Sequence, residues 1–140
     1  MIAVKTIDAH VGGAPLRLFV EGVPPLGGGT MADKEKSMAR QADRLRRAVL
    51  LEPRGHAGMW GAVLTEPVSP GSHAGLLFMH RAGFSPMAAH GVIAAATLAV
   101  EHTLIVPGGS GNEIVFDTCA GTVRATITRT SRGTDADAPR

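Results

Sequence analysis

The stretch from about Ala88 to His102 is rich in alanine, has no Gly or Pro beyond Gly91, and is apolar almost all round. A surface helix carries one apolar stripe, so a helix apolar on every side has to be enclosed by the rest of its fold. In a chain of 140 residues with 44% hydrophobic content, one core is affordable and the remaining segments must serve as the cover. Aromatic residues are only 4% and tyrosine is absent, which leaves Ala, Val, Leu, Ile and Met to fill that core. With 18 glycines as punctuation, the composition predicts many short elements joined by tight turns.

Those elements read mostly as strands. Ile2, Val4 and Thr6 alternate with Ala3, Lys5 and Ile7 in a strand ending near Asp8. Gly12-Gly13 turns the chain into a second strand, Leu16 to Val20, which pairs with the first. Gly22, Pro24-Pro25 and Gly27-Gly28-Gly29 make a loop that no helix tolerates. From about Met31 to Leu50, Met38, Ala42, Leu45 and Val49 recur at intervals of four, three and four, the spacing of one helical stripe. Pro53 stops that helix, and Met59 to Thr65 follows as a buried strand. Leu76-Leu77-Phe78-Met79 is continuously apolar, as in a strand covered on both faces, before Gly83 and Pro86 break the chain. Glu113 to Thr118 and Thr122 to Thr128 alternate as a hairpin turning at Cys119-Ala120-Gly121. Residues 1–128 thus read as one domain, with a polar, aperiodic and disordered tail over 129–140.

Several function classes are disfavoured. A formal charge of +2 with one basic helix face, Arg40, Arg44 and Arg47, is too little to predict nucleic-acid binding. The longest apolar run, Val92 to Val100, is far below the roughly 20 residues of a membrane span. The N-terminus, interrupted by Lys5, lacks a signal-peptide core, and a lone Cys119 forms no internal disulfide, so a reducing cytoplasm is expected. Six histidines, His10, His56, His73, His80, His90 and His102, are scattered without ligand spacing, so no metal site is predicted. There is no Gly-x-Ser-x-Gly elbow, and Gly27-Gly28-Gly29 lacks the lysine of a phosphate loop.

Ser85 to Gly91 is better placed for chemistry. It opens the apolar helix, whose first amides are unpaired and carry the positive end of the dipole, a setting suited to a carboxylate. A cysteine there would be acidified into a thiolate able to take a proton from carbon. The residue present is Ala88, which has no side-chain proton to give or take. Taken alone, these residues also fit a plain core helix with His90 capping or lining its start.

Several motifs, in order along nearly the whole chain, resemble the amino-terminal half of the proline racemase family. That family includes proline racemases, 4-hydroxyproline epimerases and trans-3-hydroxyproline dehydratases. Ile7-Asp8-Ala9-His10 with Gly12-Gly13, Pro15 and Arg17 is similar to the family's opening segment. Gly22-Val23-Pro24-Pro25, Thr30-Met31 and Leu51-Glu52-Pro53-Arg54-Gly55-His56 follow. Gly75 to Met79 then precedes the active-site loop, and Thr118, Ala120, Gly121 and Val123 resemble its Thr-Pro-Ala-Gly-x-Val hairpin. Val11 stands where threonine is usual, Ala14 where glutamate is, and Cys119 where the family has proline.

The resemblance implies an α/β fold, one lobe of a diaminopimelate-epimerase-like architecture: a curved, mostly antiparallel sheet wrapped around a central apolar helix. It implies cofactor-independent racemisation or epimerisation of proline or hydroxyproline, with one cysteine from each half acting as base and acid. In the dehydratases a threonine replaces the second-half cysteine. The family's Met-Cys-Gly-His-Gly falls on Met87-Ala88-Ala89-His90-Gly91, so the first catalytic position is Ala88 and the thiol is lost. Ala89, His90 and Gly91 fall on the substrate-binding positions, with Asp8, His10, Phe78 and Met87 as further candidates. Without the second half, the expectation is an inactive chain that binds a proline-like or hydroxyproline-like molecule and pairs with a second copy or a complementary second-half chain. A non-catalytic carboxylate-binding module and a purely structural half are the alternatives.

Overall fold

The computed structural model describes residues 3–105 and 112–128, and the expected 129–140 tail lies outside them. Strand β1 (Lys5–Val11) runs past the expected end near Asp8 right up to the turn, and joins β2 (Ala14–Glu21) through Gly12 and Gly13, which both have positive φ. The chain continues through helices α1 (Met31–Gln41) and α2 (Asp43–Leu50) into strands β3 (Trp60–Thr65), β4 (Ala74–His80) and β5 (Gly83–Ser85). Helix α3 (Ala89–Glu101) and the hairpin β6 (Glu113–Thr118) and β7 (Gly121–Thr126) complete it.

Among the described residues the strands form one sheet in the order β1-β2-β3-β4-β6-β7, with β5 paired to β4. The β2–β3 and β4–β6 pairs are parallel and the other four are antiparallel, so the sheet is mostly antiparallel as expected. Helix α3 touches β1, β2 and β3 and also β7, at the opposite end of that order. A flat sheet could not reach one helix from both ends, so this sheet is curved around α3.

Strand alternation separates two cores. Leu16, Leu18, Ala62, Leu76, Phe78, Ile114 and Phe116 face α3, where Ala94, Ala95, Ala96 and Ala99 let the sheet approach closely. Phe19, Val63, Leu77 and Met79 face the other way, onto Met31, Met38, Ala42 and Leu50. Strand β4 feeds both cores, which is why its run is continuously apolar. Each large apolar side chain buried in this way contributes roughly 1.5–3 kcal/mol.

Two expectations need correction. The single helix from Met31 to Leu50 is two helices, broken at Ala42, whose φ −138°, ψ 18° is not helical. The stripe survives the break because Met38 and Ala42 remain buried on the outer core and Leu45 and Val49 pack against it. Helix α3 is also not enclosed on every side: Ala89, Ile93, Thr97 and Glu101 form an exposed line at four-residue spacing, with Ile93 54% exposed.

Candidate functional site

Strand β4 ends at His80, and a tight turn through Arg81 and Ala82 returns the chain along β5 towards α3. Arg46, buried on α2, pins that turn by donating to the carbonyls of His80 (3.0 Å) and Arg81 (2.7 Å). Its remaining nitrogens clasp the Asp43 carboxylate at 2.7 and 3.1 Å. This hydrogen bonding from Arg46 holds the Asp43 carboxyl below the usual carboxylate range. Past the turn, Ser85 Oγ donates to the Met87 carbonyl at 3.0 Å, shaping the entry to the helix.

Ala88 is the N-cap of α3, in extended conformation, and its carbonyl accepts the first helical bond from Val92 N–H at 3.0 Å. No side chain caps this end. The amides of Ala89, His90 and Gly91 precede that first bond, so the helix offers three donors with no intrahelical acceptor. The Ala88 methyl itself is buried, 7% exposed, in the core around α3. Gly91 lies directly over Phe78: a Cβ there would stand 2.8 Å from the Phe78 ring, inside contact distance. Glycine at 91 and phenylalanine at 78 are therefore one packing solution, which seats the first turn on the sheet.

The wall beside this helix end is aromatic. The Trp60 ring meets His90 edge-on, with centroids 5.4 Å apart at 88°, and also meets His80 at 5.2 Å and 64°. Such edge contacts are favourable beyond simple area burial. His80 Nδ1 accepts the Ala82 amide at 3.1 Å, which orients its ring. His90 Nε2 is buried and has no hydrogen-bond partner among the described residues. A buried polar atom without a partner costs free energy, so this nitrogen marks an unfilled polar position in the wall.

Of the positions singled out in the sequence, Met87, Ala88, Ala89, His90, Gly91 and Phe78 are brought together here. Asp8 and His10 are not. Ile7, Ala9 and Val11 of β1 pack on the α3 core, so by alternation Asp8 and His10 face the other side. There Asp8 binds Arg17 through two contacts of 2.8 and 2.9 Å and, by this hydrogen bonding, holds the guanidinium charged beyond its ordinary range. Arg17 also donates to the carbonyls of Val49 and Arg54, each at 2.9 Å, so the pair locks the turn after α2. Trp60 and His80 were missed by sequence reasoning. Their signal is the β3–β4 register, in which they lie one step beyond the Gly61–Met79 pair. Cys119 packs against the outer core, its Sγ–H donating to Glu35 at 3.5 Å. Burial first, then Glu35, pushes its thiol up to about 11.

The model of the family described as proline racemase matches residues 6–137. The chain belongs to the proline racemase family. Among curated relatives, it is 41% identical over 120 residues to a trans-3-hydroxy-L-proline dehydratase of Bacillus thuringiensis subsp. konkukian, covering 86% of this chain and 36% of the relative. It is 43% identical over 127 residues to a 4-hydroxyproline 2-epimerase of Burkholderia ambifaria, covering 91% and 40%. The chain thus spans well under half the length of these relatives. A solved hydroxyproline epimerase from Agrobacterium vitis, with bound trans-4-hydroxy-L-proline, superimposes with a TM-score of 0.81 at 22% identity, over 91% of this chain and 38% of that one. A PhzF-family protein of Bacillus anthracis follows at 0.61 and 14% identity, over 94% and 38%. These likenesses show the fold: this member of the proline racemase family is one lobe of a diaminopimelate-epimerase-like architecture, as expected.

Proposed function

We propose that this chain is a catalytically silent lobe of a proline or hydroxyproline isomerase-type protein, binding the carboxylate of a proline-like amino acid at the start of α3 without turning it over. The observation that carries the proposal is Ala88 at the N-cap, where the family pattern has its first thiol. Free amides of Ala89, His90 and Gly91 receive the carboxylate at the positive helix end. Trp60 and His90 line one wall and Phe78 supports the floor.

What the arrangement lacks is a proton acceptor for the α-carbon. A methyl group exchanges no proton. Cys119 does not compensate, because it lies in the other core and its thiol stays protonated at neutral pH. The opposing acid of the two-base reaction would come from a second lobe. We further propose that the chain associates, with a second copy or a complementary chain, through the exposed line on α3; Ile93 is its apolar centre.

Incubation with L-proline and the hydroxyproline isomers in deuterated water tests the first claim, the expected outcome being no α-proton exchange above the protein-free rate. Exchange would overturn the assignment as silent. Calorimetry with the same ligands tests binding separately, and the Ala88→Cys, Ala89→Gly double variant should still fail to racemise unless an assembly supplies the second acid.

A further inference from the structure

Near the end of α3 opposite the site above, the outgoing end of β3, the start of β4 and the loop around Leu26 line an open cavity of about 490 Å³. Helix α3, 13 residues long, separates the two places by roughly 20 Å at 1.5 Å per residue. Lys34 of α1 lies in the cavity wall although it is only 6% exposed. Its Nζ donates one hydrogen bond, to the Leu26 carbonyl at 3.1 Å. An ammonium has three N–H donors, and no carboxylate forms an ion pair with this one among the described residues. A buried cation is normally paired, so Lys34 is a charge lacking its counter-ion.

A second polar side chain is among the lining residues. His73 lines the cavity, and its Nδ1 accepts the Val115 amide at 2.9 Å. In the neutral ring the proton must then reside on Nε2, which becomes an N–H donor. The rest of the wall includes the apolar side chains of Val23, Val63 and Leu104, and Glu66 is the one acid among the lining residues.

We propose that this cavity is a binding site for a small organic carboxylate with an apolar body, its oxygens taken by Lys34 Nζ and His73 Nε2 and its carbon skeleton by the apolar wall. A multiply charged anion fits less well, because Glu66 repels it and the wall offers it nothing. The site is separate from the α3 start and does not depend on what binds there.

Sodium butyrate and sodium benzoate, titrated at constant ionic strength into the isotope-labelled full chain, provide the test by NMR. Saturable shifts of the Val115 amide and the His73 ring are expected, with the Ala89 to Gly91 amides unmoved and neutral butyramide without effect. Lys34→Met should weaken the affinity at least tenfold, and Glu66→Gln, at the exposed rim, should tighten it by about two- to threefold. Non-saturable shifts, an equal response to butyramide, an affinity unchanged in Lys34→Met, or one unchanged or weakened in Glu66→Gln would each overturn the proposal.

Discussion

Two positions on this chain have opposite claims on a thiol. Ala88 has one part of a reactive cysteine's surroundings without the sulfur: a helix N-terminus and three amides without intrahelical acceptors favour a thiolate there, against the burial of that position. Cys119 has the sulfur in surroundings that suppress it, with burial and the Glu35 carboxylate both opposing ionisation. In the Ala88→Cys variant, iodoacetamide should react with the new thiol near neutral pH, while Cys119 should react appreciably only as the pH approaches about 11. Mass spectrometry of peptides alkylated across a pH series resolves the two. Equal profiles would mean that the start of α3 does not stabilise negative charge, and the carboxylate site would fall with that result.

At the scale of elements, polar anchors that no periodicity reveals hold the loops. Asp117 is buried near the end of β6 and accepts from the amides of Val68 (2.7 Å) and Ser69 (2.9 Å) and from Ser72 Oγ (2.9 Å). Burial alone would raise its pKa, but these bonds together outweigh it and leave the carboxyl below its ordinary value. Because the folded value is depressed, the stabilisation is present above the unfolded value of about 4 and is lost as pH falls through the folded one. Asp117→Asn should therefore cost about 2 kcal/mol in urea unfolding at neutral pH and make the acid limb below about pH 4 shallower. An unchanged acid limb would assign that limb to other carboxylates. The strands themselves were legible because alternation and Gly/Pro punctuation are local signals. The break at Ala42 was not: the apolar stripe runs straight through it, and the reason to separate α2 lies in the distant contact of Arg46 with the His80–Arg81 turn. Likewise the short β5 is defined by its pairing with β4, a partner that periodicity cannot name.

For the whole molecule, a sheet curved around α3 still leaves one line of that helix uncovered by any described residue. Ile93 is already about half buried, so covering the rest of it would gain about half of the roughly 1.5–3 kcal/mol of a fully buried isoleucine. Sedimentation velocity should show self-association at high protein concentration, abolished by Ile93→Glu without loss of helical signal. A monodisperse monomer throughout would refute the second-copy form of the association. The loop from Met87 to Gly91 could be located from sequence because a buried helix and its entrance leave a strong pattern. Asp8 and His10 could not be separated from it, since only the strand's orientation in the assembled sheet sends their side chains to the far face. Trp60 and His80 became visible as its wall only through cross-strand register.

That wall also gives the protein an optical property. Trp60 is the sole tryptophan of a chain with no tyrosine, so indole emission arises from the one ring in edge contact with both His80 and His90. Anything that moves either imidazole alters the quenching and polarity this indole experiences. A ligand that displaced either ring at the start of α3 would thereby change the colour and intensity of the protein's own light, with no label attached.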